Sequence, residues 1–154
     1  MPAPGTPEDG EQVQYGALPY RWNDRGALEV LLITSRRTRR WIVPKGWPMK
    51  DRKPWETAAI EAREEAGVSG VIAKRAVGRF RYDKLVEEDE RLVPCEVTLF
   101  PLFVTRYHRK WRERHQREAI WVSPPQAAAL AADPGMRIII ASLRTFLGAS
   151  TTSG

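Results

Sequence analysis

The chain has 154 residues, with 25 Lys and Arg against 19 Asp and Glu, a net charge of +6 and a single cysteine, Cys95. That length suits one domain with a real hydrophobic core, and one cysteine excludes an internal disulfide framework. No apolar run approaches the roughly 18 residues of a membrane helix, and the opening MPAPGTPEDGEQ has neither a basic nor an apolar signal region, so a cytoplasmic protein without a membrane partner is expected.

Residues 1–12 are rich in Pro, Gly and acid and read as a loose segment, residues 13–147 as one folded domain, and residues 148–154 as a loose tail. In chain order, Ala27 to Thr34 (ALEVLLIT), Trp41 to Pro44 (WIVP), Val71 to Tyr82, Val93 to Tyr107 and Ala119 to Ser123 are β-branched, aromatic and Leu-rich runs bounded by turn formers, and read as strands. Between the second and third of these, PWETAAIEAREEAG reads as a helix: Asp51 is a candidate cap, Pro54 lies early, alanines fill the interior and Gly67 ends it. SPPQAAALAAD repeats that logic with Ser123 as cap and Pro124 in the first turn, and PGMRIIIASLRTFLG adds a closing helix. Strands interleaved with helices predict an α/β fold, a mixed β-sheet sandwiched between α-helices.

The helix raises a chemical question, because EAREEAG crowds Glu61, Glu64 and Glu65 together in a basic chain. At 3.6 residues per turn these positions are related by i, i+3 and i+4 and project from one face. Repulsion there costs roughly a few tenths of a kcal/mol per pair, a penalty that a bound divalent cation would reverse. Oxygen-only ligands suit Mg²⁺ or Mn²⁺, which also bind phosphate oxygens. A solvated acidic face is the alternative that spacing alone leaves open.

The stretch from Gly46 to Val68 resembles the Nudix box, G-x5-E-x7-R-E-U-x-E-E-x-G-U, where U is a bulky aliphatic residue. Gly46, Glu61, Glu64, Glu65, Gly67 and Val68 fall in register, and Ala62 is a small occupant of the first aliphatic position. Arg52 stands where the box has its first Glu, and Ile60 where it has Arg, so a charged pair supporting loop and helix is absent. LLITSRRTRRWIVPKGWPM and HQREAIWVSPPQAAALAADPGMRIIIASL look like the segments flanking the box in diphosphoinositol polyphosphate phosphohydrolases, while Nudix enzymes acting on diadenosine polyphosphates share the P-K-G. The resemblance implies the Nudix fold and hydrolysis of a phosphoanhydride by a water activated by Mg²⁺ or Mn²⁺. It makes Glu61, Glu65 and the Gly46 carbonyl the leading metal ligands, with Glu64 as a further ligand or the base, and Glu61 and Glu64 as the catalytic candidates. Glu96 and Glu118 are candidates for a fourth acid from outside the box. A hydrolase for nucleotide sugars or capped RNA, or a non-catalytic Nudix module binding a ligand or nucleic acid, are the alternatives.

Two basic clusters remain: Arg36, Arg37, Arg39 and Arg40, and a second run with Arg106, Arg109, Lys110, Arg112, Arg114 and Arg117. Either they are solvated surface or they hold the phosphates of a highly charged substrate. Arg37, Arg39, Arg40, Lys45 and Lys50 are the candidate substrate-binding residues, and the expected partner is a phosphorylated small molecule, with nucleic acid not favoured, bound by a monomer or homodimer. Trp41, Trp47, Trp55 and Trp111 are candidate stacking partners for a base, Trp41 being better suited to the core. His108 and His115 lack a zinc-ligand pattern and read as surface, and Cys95 as a small core filler.

Overall fold

A computed structural model describes residues 12–86 and 90–152. Eight strands form one sheet: β1 (Gln12–Trp22), β2 (Leu28–Thr34), β3 (Trp41–Ile42), β4 (Lys45–Gly46), β5 (Val68–Ile72), β6 (Gly78–Val86), β7 (Arg91–Tyr107) and β8 (Ala119–Val122). Three helices cover it: α1 (Pro54–Ala66), α2 (Pro124–Leu130) and α3 (Pro134–Thr152). The spine of the sheet runs β3-β2-β1-β7-β5, with β4 on β1, β6 on β7 and β8 on β2. The β1 and β7 pair is parallel, from Gln12 opposite Cys95 to Tyr20 opposite Phe103, and its other strand pairs are antiparallel. The sheet is therefore mixed, as expected.

Both faces of the sheet are buried, which is why β2 reads as an almost unbroken apolar run. Leu28, Val30 and Leu32 point to one core, shared with Met136, Ile140 and Leu143 of α3, and Leu31 and Ile33 point to the other, shared with Ala58 and Ala62 of α1. Cys95 is fully buried in β7, in the core-filling role its strand context implied. The sheet-facing side of α1 is Ala58, Ala62 and Ala66, and each methyl contributes only about 0.8 kcal/mol by burial. Small side chains let the helix lie close to the sheet, and its flank is left to the glutamates.

Several elements differ from their sequence reading: the strand expected over Trp41 to Pro44 ends at Ile42, and a separate β4 follows at Lys45–Gly46. β1 was not expected at all, because Gly16 and Pro19 look like turn formers; Gly16 lies where a side chain would strike the Pro44 carbonyl at 2.8 Å, so its small size serves the crossing of the β3–β4 segment. The predicted strand from Val71 to Tyr82 is two strands, broken between Ile72 and Gly78, and the second continues to Val86. The cap of α1 is Lys53, not Asp51: the Lys53 amide donates to Glu56 Oε1 at 2.8 Å, while Asp51 takes a left-handed φ of 62° in the preceding turn. α3 runs on through Gly148 to Thr152, where a loose tail was expected. Of the loose segment expected over residues 1–12, residues 1–11 lie outside the described residues, and Gln12 opens β1. Among the described residues no helix is long and apolar enough to cross a membrane.

Candidate active site

The short strand β4 and the helix α1 bring the box together. Gly67 ends α1 with a φ of 68°, in the left-handed region that favours glycine, and its amide donates to the Arg63 carbonyl at 3.1 Å. At the other end of the box, Gly46 pairs with Tyr15 of β1. The Glu61 carboxyl packs directly on Gly46, and a side chain there would begin 2.4 Å from it. Glycine is required by that approach.

Glu65 is buried, with 7% of its side chain exposed, and its Oε1 accepts from the Lys45 amide at 3.2 Å. Burial and a hydrogen bond to Glu61 push its pKa up to about 9, against the pull of Arg117 and Lys45. Burial raises Glu61 as well, with the charges of Glu64 and Glu113 adding to it and the Glu65 hydrogen bond and Arg112 opposing. Glu64 Oε2 lies 3.7 Å from Arg112 Nη1, and both residues line the same cleft as Glu61 and Glu65.

This donor set fits a hard divalent cation in part. Two carboxyls meet beside Gly46, where a Cβ would collide with the Glu61 carboxyl, and all donors are oxygen. Among the described residues, however, no three acid, His or Cys groups already converge on one point.

The acids line a cleft of about 590 Å³. Arg36, Arg37 and Arg40, from the turn between β2 and β3, line it as well, as does Lys45. Burial pulls the Lys45 ammonium down to about 8, with Glu65 and Asp133 working against that and Lys84 with it. Its Nζ lies 4.9 Å from the centre of the Tyr82 ring.

Of the residues singled out from sequence, Gly46, Glu61, Glu64, Glu65, Arg37, Arg40 and Lys45 line this cleft. Arg39 and Lys50 do not. Arg39 has a φ of 55°, and its guanidinium donates to the Gln116 carbonyl at 3.1 Å and pairs with Glu118 at 3.6 Å. Neither candidate fourth acid lines the cleft: Glu118 is held by Arg39, and Glu96 pairs with Arg81 at 3.6 Å. The acids that do line it, Asp83, Glu113 and Asp133, went unnoticed in the sequence, as did Tyr82 and Lys84. Asp83 and Lys84 belong to the part of β6 beyond its expected end.

The tryptophans divide in the same way. Trp41 packs on the α3-side core, Trp55 meets the Phe100 ring edge-on at 6.5 Å, and Trp111 covers Gly67. Trp47 lines the cleft and is 44% exposed. His108 Nε2 lies 2.8 Å from Ser69 Oγ, and His115 is exposed; neither lines the cleft.

A mixed sheet between helices, with a glutamate ridge on α1 facing a glycine strand, defines the class, and residues 5–143 match the NUDIX domain. The chain belongs to the Nudix family. It is 35% identical to Nudix hydrolase 12, mitochondrial, of Arabidopsis thaliana over 129 residues, covering 75% of this chain and 64% of that protein. The chain thus spans less than two thirds of that relative's length. Its fold is similar to that of a C. elegans Ap4A hydrolase (TM-score 0.63, 20% identity, covering 89% of this chain and 98% of that one). It is also similar to the NUDIX domain of Shewanella oneidensis NrtR complexed with ADP ribose (TM-score 0.62, 14% identity, covering 88% of each).

Proposed function

We propose that the chain is a Nudix pyrophosphohydrolase that cleaves a phosphoanhydride bond in a substrate carrying several phosphates, a diadenosine polyphosphate or a diphosphoinositol polyphosphate. The observation that carries this reading is that Glu61, Glu64 and Glu65 share one cleft with Arg36, Arg37 and Arg40. Catalysis of phosphoryl transfer is chiefly positioning and charge neutralisation, and the cleft offers both.

Glu61, Glu65, Glu64 and the Gly46 carbonyl would hold Mg²⁺ or Mn²⁺. The ion, when bound, neutralises phosphate charge and makes water a better nucleophile at neutral pH. Arg37 and Arg40 bind and orient phosphate oxygens by charge-assisted hydrogen bonds. Lys45, with its pKa lowered to about 8 by burial, sits beside the acids as a cation that can follow charge developing on the leaving phosphate. Glu64 is more exposed than Glu65, and as an alternative to holding the ion it can take the proton of the attacking water. Trp47, exposed in the cleft next to Gly46, favours the dinucleotide of the two substrates, since a base gains from stacking where an inositol ring does not.

The test is a substrate panel of diadenosine polyphosphates, inositol pyrophosphates, nucleotide sugars and capped RNA with Mg²⁺ and Mn²⁺. Fastest turnover on the polyphosphates supports the reading. Preference for a nucleotide sugar or capped RNA would replace the substrate class, and no turnover on any would favour a binding module.

A further inference from the structure

The cation that reaches Glu65 comes from outside the box. Arg117 lies just before β8, with 9% of its side chain exposed, and its guanidinium is committed on three sides. Nε and Nη2 each lie 2.9 Å from Glu113 Oε1, Nη1 donates to the Thr34 carbonyl at 3.0 Å, and Nη2 lies 3.8 Å from Glu65 Oε1.

Both anchors of this guanidinium are themselves fixed. The Glu113 amide donates at 3.0 Å to the Glu64 carbonyl, in the last turn of α1 where carbonyls lack helical partners. Thr34, at the end of β2, is buried; its amide donates to the Glu118 carbonyl at 3.0 Å and its Oγ1 accepts from the Glu118 amide at 2.9 Å. The His108 amide donates to the Gly67 carbonyl at 2.8 Å, so the whole 108–118 segment is strapped across the end of α1. A planar guanidinium held on two edges has no freedom left in its third.

We infer that Arg117 is a positioning residue that holds the Glu65 carboxylate in the cleft, supplying from the 108–118 strap a support the box of this chain does not provide. The box has Ile60 and Arg52 at its two variant positions. The 3.8 Å separation matters to this role. Arg117 and the Lys45 amide both approach Oε1 without a tight fork, so Glu65 is aimed while retaining capacity for a further ligand. The function of that aim rests on the proposed role of Glu65 as a metal ligand; the aim itself is a matter of geometry.

Two readouts on substrate-free protein test it: the crystal structure of Arg117→Lys, and Mn²⁺ affinity by electron paramagnetic resonance. Lysine keeps the charge but cannot span Glu113, Thr34 and Glu65 together. Glu65 should swing away from the Lys45 amide, and Mn²⁺ affinity should fall by at least about tenfold, the lower range for losing a partner that orients a ligand. The double variant Arg117→Lys/Glu65→Gln should bind no more weakly than Glu65→Gln alone. Glu65 unmoved in the variant, or affinity unchanged, would overturn the inference. A displaced Glu65 in a protein whose wild type binds no Mn²⁺ would support the role of Arg117 and overturn the proposed function. Should Arg117→Lys fail to fold, Glu113→Leu, which removes the acceptor of the guanidinium without removing the guanidinium itself, takes its place with the same expected and contrary results.

Discussion

The Glu61 carboxyl lies against the Cα of Gly46, leaving no room for even a methyl group between them. Gly46→Ala should therefore displace Glu61 and break the meeting of carboxylate and backbone while the sheet stays intact. Turnover should fall by about a hundredfold or more, the scale of removing a positioned catalytic group. Steady-state kinetics beside circular dichroism would check this; near-normal turnover would show that Glu61 works from another position.

Burial pushes the Glu65 carboxyl up to about 9 and raises Glu61 as well. A cation must expel the proton of Glu65, so binding should release about one proton per ion near neutral pH and tighten as pH rises toward 9. The sign follows from the raised pKa: below it the free protein keeps the proton and resists the metal. Calorimetric Mn²⁺ titrations in buffers of different ionisation enthalpy read the proton count directly, and no release would contradict the raised pKa.

Arg37 and Arg40 line the cleft whereas Arg39 is tied to Gln116 and Glu118. Changing Arg37 and Arg40 to Ala should raise KM steeply for a polyphosphate substrate, by roughly 1.5 to 3 kcal/mol per well-formed contact, and most at low salt. A two-phosphate nucleotide sugar should scarcely respond, and Arg39→Ala should affect neither. Equal effects on both substrates would mark the cluster as general surface charge.

Thr57 lies one helical turn before Glu61, fully buried, with no partner for its hydroxyl among the described residues. Valine has nearly the same shape and no oxygen to strand, so Thr57→Val should stabilise the fold by roughly 1 kcal/mol with kinetics unchanged. Thermal unfolding should show a rise of about 2 to 4 °C for a domain of this size. A loss of stability would reveal a partner for the hydroxyl in solution.

The box was legible because its signals are local. Pro54, Gly67 and the spacing of Glu61, Glu64 and Glu65 lie within one helix, and Gly46 lies one loop away. β1 was illegible because Gly16 and Pro19 answer to neighbours remote in sequence, the Pro44 carbonyl and Leu102 of β7. Asp83, Glu113 and Asp133 reach the cleft from three separate segments, and no spacing rule could join them. Arg39 and Arg40 are adjacent in sequence, yet a left-handed turn residue sends one guanidinium to Glu118, while the other lines the cleft and donates to the Ala132 carbonyl at 3.3 Å. Charge clusters read from sequence give composition and not direction.

The most direct measurement of the central claim is the turnover of Glu64→Gln and Glu65→Gln on the best polyphosphate substrate at saturating Mg²⁺. Each substitution keeps size and removes only the charge. Each should cut turnover by at least about a hundredfold. Near-normal rates in either variant would contradict a single metal site built from the acids of α1.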